Sequence, residues 1–148
     1  MTDEPERSQV TQLLDVEAIK RLKARYFRLL DTKRWDEWAD VFAADAVMDV
    51  PEAGMLSVGR AEIVRSVSGA LEGARTAHHG HMPEIEITGP ETARGIWAMY
   101  DFLDWERKDG SRAGFQGYGH YHEEYVRDAG EWRIARLRLE RLRIDPLG

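Results

Sequence analysis

Between Leu13 and Leu30 the apolar residues Val16, Ile19, Leu22, Tyr26, Phe27, Leu29 and Leu30 recur at helical spacing, with Lys and Arg between them. That pattern predicts an amphipathic helix. Residues 1–10, polar and acidic, predict a flexible lead ahead of a single domain over 11–148. Trp35, Trp38 and Phe42 predict a short second helix after Asp31-Thr32, and Ala46 to Val50 a brief strand. Pro51-Glu52-Ala53-Gly54 reads as loop, and Arg60 to Leu71 as a third helix through Ile63, Val67 and Ala70, stopped by Gly73. Beyond it the period changes to two. Strands are predicted over Met82–Ile87, Ala93–Trp105, Phe115–Arg127 and Trp132–Ile144, with turns at Thr88-Gly89-Pro90, Asp109-Gly110 and Ala129-Gly130. The last three are long and closely connected, an antiparallel meander. Helices first and a sheet afterwards predict an α+β domain, with a cavity where the long helix crosses the sheet.

The strand pattern singles out Asp101. Ala93, Gly95, Trp97, Met99, Leu103 and Trp105 share its parity, so one carboxylate projects from an otherwise apolar wall. A lone buried charge is costly unless it is paired, neutralised or facing a wet cavity, which makes Asp101 a candidate acid or base. Arg141 continues the apolar row Ala135, Leu137, Leu139 in the same way, suited to a buried carboxylate or an anionic substrate group. Tyr26 lies on the apolar stripe of the first helix, and a core tyrosine is the plainer reading there. Asp31 closes that helix and is equally suited to capping the next one. The two are about 140° apart on an ideal helix, so both face one cavity only if the helix ends near Leu30.

His78, His79 and His81 crowd together just before a predicted strand, and His120 and His122 add two more. Histidine moves protons near neutral pH. The string has no recognised metal-ligand spacing, so neither metal nor cofactor is expected. His122 beside Glu123 and Glu124 reads as a surface group.

Composition narrows the classes. With 27 acidic and 21 basic side chains the net charge is -6, which argues against nucleic acid or an anionic membrane as partner. Cysteine is absent, so thiolate chemistry is excluded. The polar start MTDEPERSQV lacks the order of a signal peptide, and a cytoplasmic location is the default.

Three stretches then carry a resemblance: Leu30-Asp31-Thr32-Lys33-Arg34-Trp35-Asp36, the run from His78 to Ile87, and Gly95-Ile96-Trp97-Ala98-Met99-Tyr100-Asp101, with Gly130-Glu131-Trp132-Arg133-Ile134 at the end. They resemble the SnoaL-like members of the nuclear-transport-factor-2-like superfamily over roughly residues 10 to 145. The resemblance implies a cone-shaped, cystatin-like α+β fold: three N-terminal helices on a curved, mostly antiparallel sheet that encloses an apolar pocket.

The set Tyr26, Asp31, His78, Asp101 and Arg141 is similar to that of the bile acid 7α-dehydratases. The Asp31–His78 pair resembles the dyad of scytalone dehydratase and hexachlorocyclohexane dehydrochlorinase. Leu30 and Val50 stand where scytalone dehydratase has tyrosines, so scytalone itself is not the expected substrate. The resemblance implies elimination from a hydrophobic hydroxylated cyclic or steroid-like molecule. In that scheme His78 is the base oriented by Asp31, Tyr26 a donor to the enolate and Asp101 the acid, with Arg141, Trp97, Met99 and His120 contacting substrate. An isomerase or polyketide-cyclase-type enzyme, or a non-catalytic binding or assembly domain, would use the same fold. A homo-oligomer, trimer or dimer, is expected from the family and from the sheet aromatics Trp97, Tyr100, Phe102, Trp105, Tyr118, Tyr121 and Tyr125.

Overall fold

The computed structural model describes residues 3–148. Helices α1 (Asp3–Asp31) and α2 (Trp35–Ala39) are followed by strand β1 (Phe42–Val50), a single 3-10 turn at Pro51–Ala53 and strand β2 (Met55–Val58). Helix α3 (Arg60–Ala70) then leads into β3 (Arg75–Gly89), β4 (Thr92–Glu106), β5 (Arg112–Asp128) and β6 (Glu131–Leu147). The six strands form one sheet in the order β2-β1-β6-β5-β4-β3. Every neighbouring pair is antiparallel except β1 with β6. This is the nuclear-transport-factor-2-like architecture, with α1 laid chiefly against β3. No helix among the described residues is long and apolar enough to cross a membrane.

The first helix buries Ile19, Leu22, Tyr26, Leu29 and Leu30 against the sheet, as its periodicity predicts. It begins well before Leu13, so the expected flexible lead is helical from Asp3; residues 1 and 2 of that lead lie outside the described residues. In that added stretch Val10 is exposed, as are Leu13 and Leu14 just after it. At the other end Lys33 takes a left-handed φ of 56°. The amides of Lys33 and Arg34 return to the carbonyls of Leu30 and Leu29, the paired bonds that close a helix sharply.

Three boundaries depart from the sequence pattern. β1 starts at Phe42 rather than Ala46, because an irregularity between Phe42 and Val47 breaks the alternation. β2 follows the expected loop, in a stretch where no element was expected; its alternation is inverted, with Ser57 buried and Leu56 and Val58 exposed. β3 starts at Arg75 rather than Met82, which puts the histidine cluster on a strand instead of ahead of one.

The aromatic residues also divide differently. Trp97, Tyr121 and Tyr125 are buried on the inner face, so they are core rather than assembly surface. Tyr100, Phe102 and Tyr118 alternate with them onto the outer face and stay half-buried.

One ion-pair cluster ties β3, β4 and β5 together. Arg75 donates to both oxygens of Asp104 at 2.9 and 2.6 Å, and Arg112 approaches Asp104 at 3.0 Å. Hydrogen bonding from Arg75, then from Arg112, holds the Asp104 carboxyl down at about 2. The folded value lies below the unfolded value of about 3.9, so this contribution is present above pH ~4 and disappears as pH falls towards 2. Asp104→Asn is expected to lower the melting temperature at neutral pH and to flatten its fall between about pH 4 and 2. An unchanged acid limb in the variant, followed by circular dichroism, would remove Asp104 from the account.

Candidate functional site

Between α1, α3 and the inner sheet face lies a cavity of about 340 Å³. Met48, Val67, Leu71, Leu137 and Leu139 make most of it apolar, while Tyr26, His78, Asp101, Tyr121 and Arg141 bring polar groups to one side. Larger surface grooves elsewhere are lined mostly by charged side chains and hold none of these groups.

His78 and Asp101 meet because they are directly opposite in the β3–β4 register, and opposite residues of an antiparallel pair share a face. Asp31 approaches from the last turn of α1. One of its oxygens takes the His78 backbone amide at 2.8 Å, and the other takes the Thr76 hydroxyl at 2.9 Å and His78 Nδ1 at 2.7 Å. A carboxylate only accepts, so Nδ1 carries a hydrogen and Nε2 is left free to take a proton. Asp31 does not cap α2: Arg34 holds that position without a side-chain bond. Nor does Asp31 line the cavity, which removes the requirement that Tyr26 and Asp31 share a helix face.

Asp101 is 1% exposed. Its nearer oxygen is 3.8 Å from His78 Nε2. Arg141 donates to both oxygens, at 2.8 and 2.7 Å. This bidentate pair passes over Gly117, where an added Cβ would lie 1.8 Å from Arg141 and 2.2 Å from Asp101. Glycine is therefore required there by contact, not by backbone conformation. The bidentate geometry stands against the expected role of Asp101 as the acid, since both of its oxygens accept from Arg141.

Tyr26 and Tyr121 line the same side of the cavity, their rings 6.1 Å apart. Burial, then the Glu123 charge, pushes the Tyr26 hydroxyl far above its ordinary range, with Asp101 and Asp31 adding to the effect. Burial likewise raises Tyr121. Both stay protonated and can donate. Beneath their rings Lys23, fully buried, bonds Glu123 at 2.7 Å. Glu123 is 3% exposed, while its neighbour His122 is at the surface as expected, 3.4 Å from Glu140.

The remaining predicted contacts lie elsewhere. Trp97 and Met99 face inward but do not line the cavity; the Trp97 indole instead donates to Tyr125 at 2.9 Å. His120 has the opposite parity to Tyr121 and stands on the outer face beside His122, so its predicted substrate contact is corrected. His79 and His81 pair with each other, 6.0 Å between ring centres, and are absent from the cavity wall. Among the described residues no three His, Cys, Asp or Glu groups are placed to hold a metal ion. Tyr121, Lys23 and Glu123 were missed, although each interrupts or joins an apolar row as Asp101 does.

Comparison with known proteins adds a lineage. The family described as the SnoaL-like domain matches residues 11–138. A protein of Gibberella zeae named a probable cyclase is 26% identical over 134 residues, covering 84% of this chain and 89% of the relative. Among solved structures, a scytalone dehydratase-like protein of Novosphingobium aromaticivorans superposes with a TM-score of 0.83 at 23% identity, over 100% of this chain and 93% of the other. A hexachlorocyclohexane dehydrochlorinase of Novosphingobium barchaimii does so with a TM-score of 0.80 at 19% identity, over 95% and 94%. At these identities the solved structures speak to the fold.

Proposed function

The chain belongs to the SnoaL-like domain family of the nuclear-transport-factor-2-like superfamily, and from that membership together with the Asp31–His78 pair we propose that it is a cofactor-independent lyase removing water from a hydrophobic, hydroxylated cyclic small molecule. The observation that carries this reading is His78: its Nδ1 is committed to Asp31 at 2.7 Å, while the ring lines an apolar cavity. A histidine so oriented is a base with a fixed tautomer, and Asp31 stabilises the imidazolium that forms.

In this scheme Nε2 takes a proton from the carbon next to a substrate carbonyl. The electron pair moves to the carbonyl oxygen, which receives hydrogen bonds from Tyr26 and Tyr121. The enolate then expels hydroxide from the neighbouring carbon, forming the C=C bond. Because Asp101 is engaged by Arg141, the proton that leaves with hydroxide is the one His78 has just acquired. Asp101 and Arg141 form the polar wall that keeps the imidazole in place. Desolvation by the apolar lining strengthens each of these interactions.

A panel of cyclic β-hydroxyketones tests the scheme: a product lighter by one water is expected. His78→Gln should lower turnover by at least about 10²-fold with the near-ultraviolet circular dichroism unchanged. Wild-type turnover in the folded variant would overturn the assignment.

A second reading, isomerase or cyclase, is favoured by one observation: Asp101 offers no separate acid for a leaving group. The cyclase name of the Gibberella zeae relative agrees with it. Under that reading the product keeps the substrate's mass in ordinary water and gains deuterium when the reaction is run in D2O.

A further inference from the structure

The proposed chemistry leaves one buried pair of charges unused. Lys23 and Glu123 both have fully buried side chains, yet they are 100 residues apart in sequence and bring α1 to β5. Glu123 Oε1 accepts from the Tyr125 hydroxyl at 2.7 Å, and Tyr125 accepts from Trp97 at 2.9 Å. The other Glu123 oxygen takes Lys23 Nζ, also at 2.7 Å, so the carboxylate is shared between the two sides. Besides that bond the ammonium packs on three rings: Lys23 Nζ lies 3.6 Å from the Tyr26 ring centre, 3.8 Å from that of Tyr121 and 4.9 Å from that of Phe27. A cation on an aromatic face is attracted to the ring's electron density, the more so where water is excluded. Two of its three faces are those of the tyrosines that line the cavity.

We propose that Lys23, held by Glu123, is a positioning residue that polarises Tyr26 and Tyr121 together, making their hydroxyls a paired binding site for an oxyanion in the cavity. An ammonium over the ring face withdraws density from the phenol, which offsets part of the rise that burial and the Glu123 charge impose on both hydroxyls. When negative charge grows on a ligand oxygen and spreads through the hydroxyls into the rings, the ammonium is already in place. No solvent has to reorganise. The ligand class is an enolate, phenolate or comparable delocalised oxyanion. The inference deepens the elimination reading only in that both bring a substrate oxygen to these tyrosines; it does not require His78 to act.

The test uses 4-nitrophenol, whose neutral and ionised forms absorb at different wavelengths, with the full-length protein at pH 7, where burial has pushed Lys23 down to about 8 and the ammonium is still charged. The wild type is expected to bind the ionised form. Lys23→Met/Glu123→Gln removes both charges while keeping approximate volume, and should reduce the ratio of bound phenolate to bound phenol by at least tenfold. Tyr121→Phe should also reduce it. Equal ratios in the wild type and a folded double variant would overturn the role of Lys23 and leave the elimination scheme standing. Failure of the wild type to favour the ionised form would overturn the tyrosine site itself, whatever His78→Gln does to turnover. Should the double variant misfold, Lys23→Gln with Glu123→Leu offers a second replacement with the same expected loss, and an undiminished ratio there counts equally against the proposal.

Discussion

Glu123→Ala is expected to destabilise the fold by about 3–5 kcal/mol, the scale for stranding one member of a buried ion pair. Lys23 is then left with fully buried side-chain atoms and only ring faces for company. Those faces return about 2 kcal/mol or somewhat more when dry, less than a buried ammonium loses with its carboxylate. The loss has a ceiling, since the lysine can shed its proton instead. Removing a proton at pH 7 from a lysine of ordinary pKa ~10.4 costs about 4.6 kcal/mol, which caps the electrostatic part of the penalty. The double replacement Lys23→Met/Glu123→Gln should cost far less than either single change, because buried pairs are often replaced by uncharged groups at little net cost. Urea unfolding of the two single variants and the double variant closes a cycle. Additive losses would mean that the pair is not coupled, contrary to its 2.7 Å contact.

That pair shows where the sequence was readable and where it was not. Asp101 stood out because strand parity put one carboxylate among apolar residues, and the structure has it 1% exposed. The same argument applied to Glu123, two positions from both Tyr121 and Tyr125, and to Lys23, four residues after Ile19 and three before Tyr26. Lysine in a helix is ordinarily read as solvated, and Glu123 was hidden by its charged neighbours His122 and Glu124. Parity with Tyr121 also places His120 on the outer face, against the substrate contact expected of it.

Other features had no local signal. The bidentate grip of Arg141 on Asp101 depends on the empty space at Gly117, one strand away. It also depends on the register shift that leaves Leu142 exposed between Arg141 and Arg143. β2 escaped because its buried position is a serine and its exposed positions are Leu56 and Val58. The helices and the long strands were legible since each has a sustained period. The site's polar connections were not, because they join α1, β3, β4, β5 and β6 at distances that only packing sets.

The largest pH effect is expected on the alkaline side, where stability should first rise and then collapse. Burial holds Lys23 down at about 8, against an unfolded value near 10.4. Between those values the unfolded chain keeps a proton that the folded chain has lost, so stability rises with pH, by about 3 kcal/mol in all. Tyr26, Tyr121 and Tyr125 then act in the opposite sense. Burial raises all three, with Glu123 adding to the rise for each. Above the unfolded value of about 10 the folded chain retains protons that the unfolded chain releases, and stability falls by about 4 kcal/mol per pH unit for the three together. A domain with about 5–15 kcal/mol of stability is exhausted within a few units, so unfolding is expected near pH 12. In a Tyr100→Phe/Tyr118→Phe background, which removes the two half-buried outer-face tyrosines, absorbance at the tyrosinate band should rise in step with loss of near-ultraviolet circular dichroism. Lys23→Met should abolish the rise between pH 8 and 10, and Tyr125→Phe should make the later fall shallower by about a third. Tyrosinate absorbance that climbs while the fold stays intact would mean that these hydroxyls ionise in place, and the dry, proton-retaining cavity wall on which the oxyanion site depends would not exist.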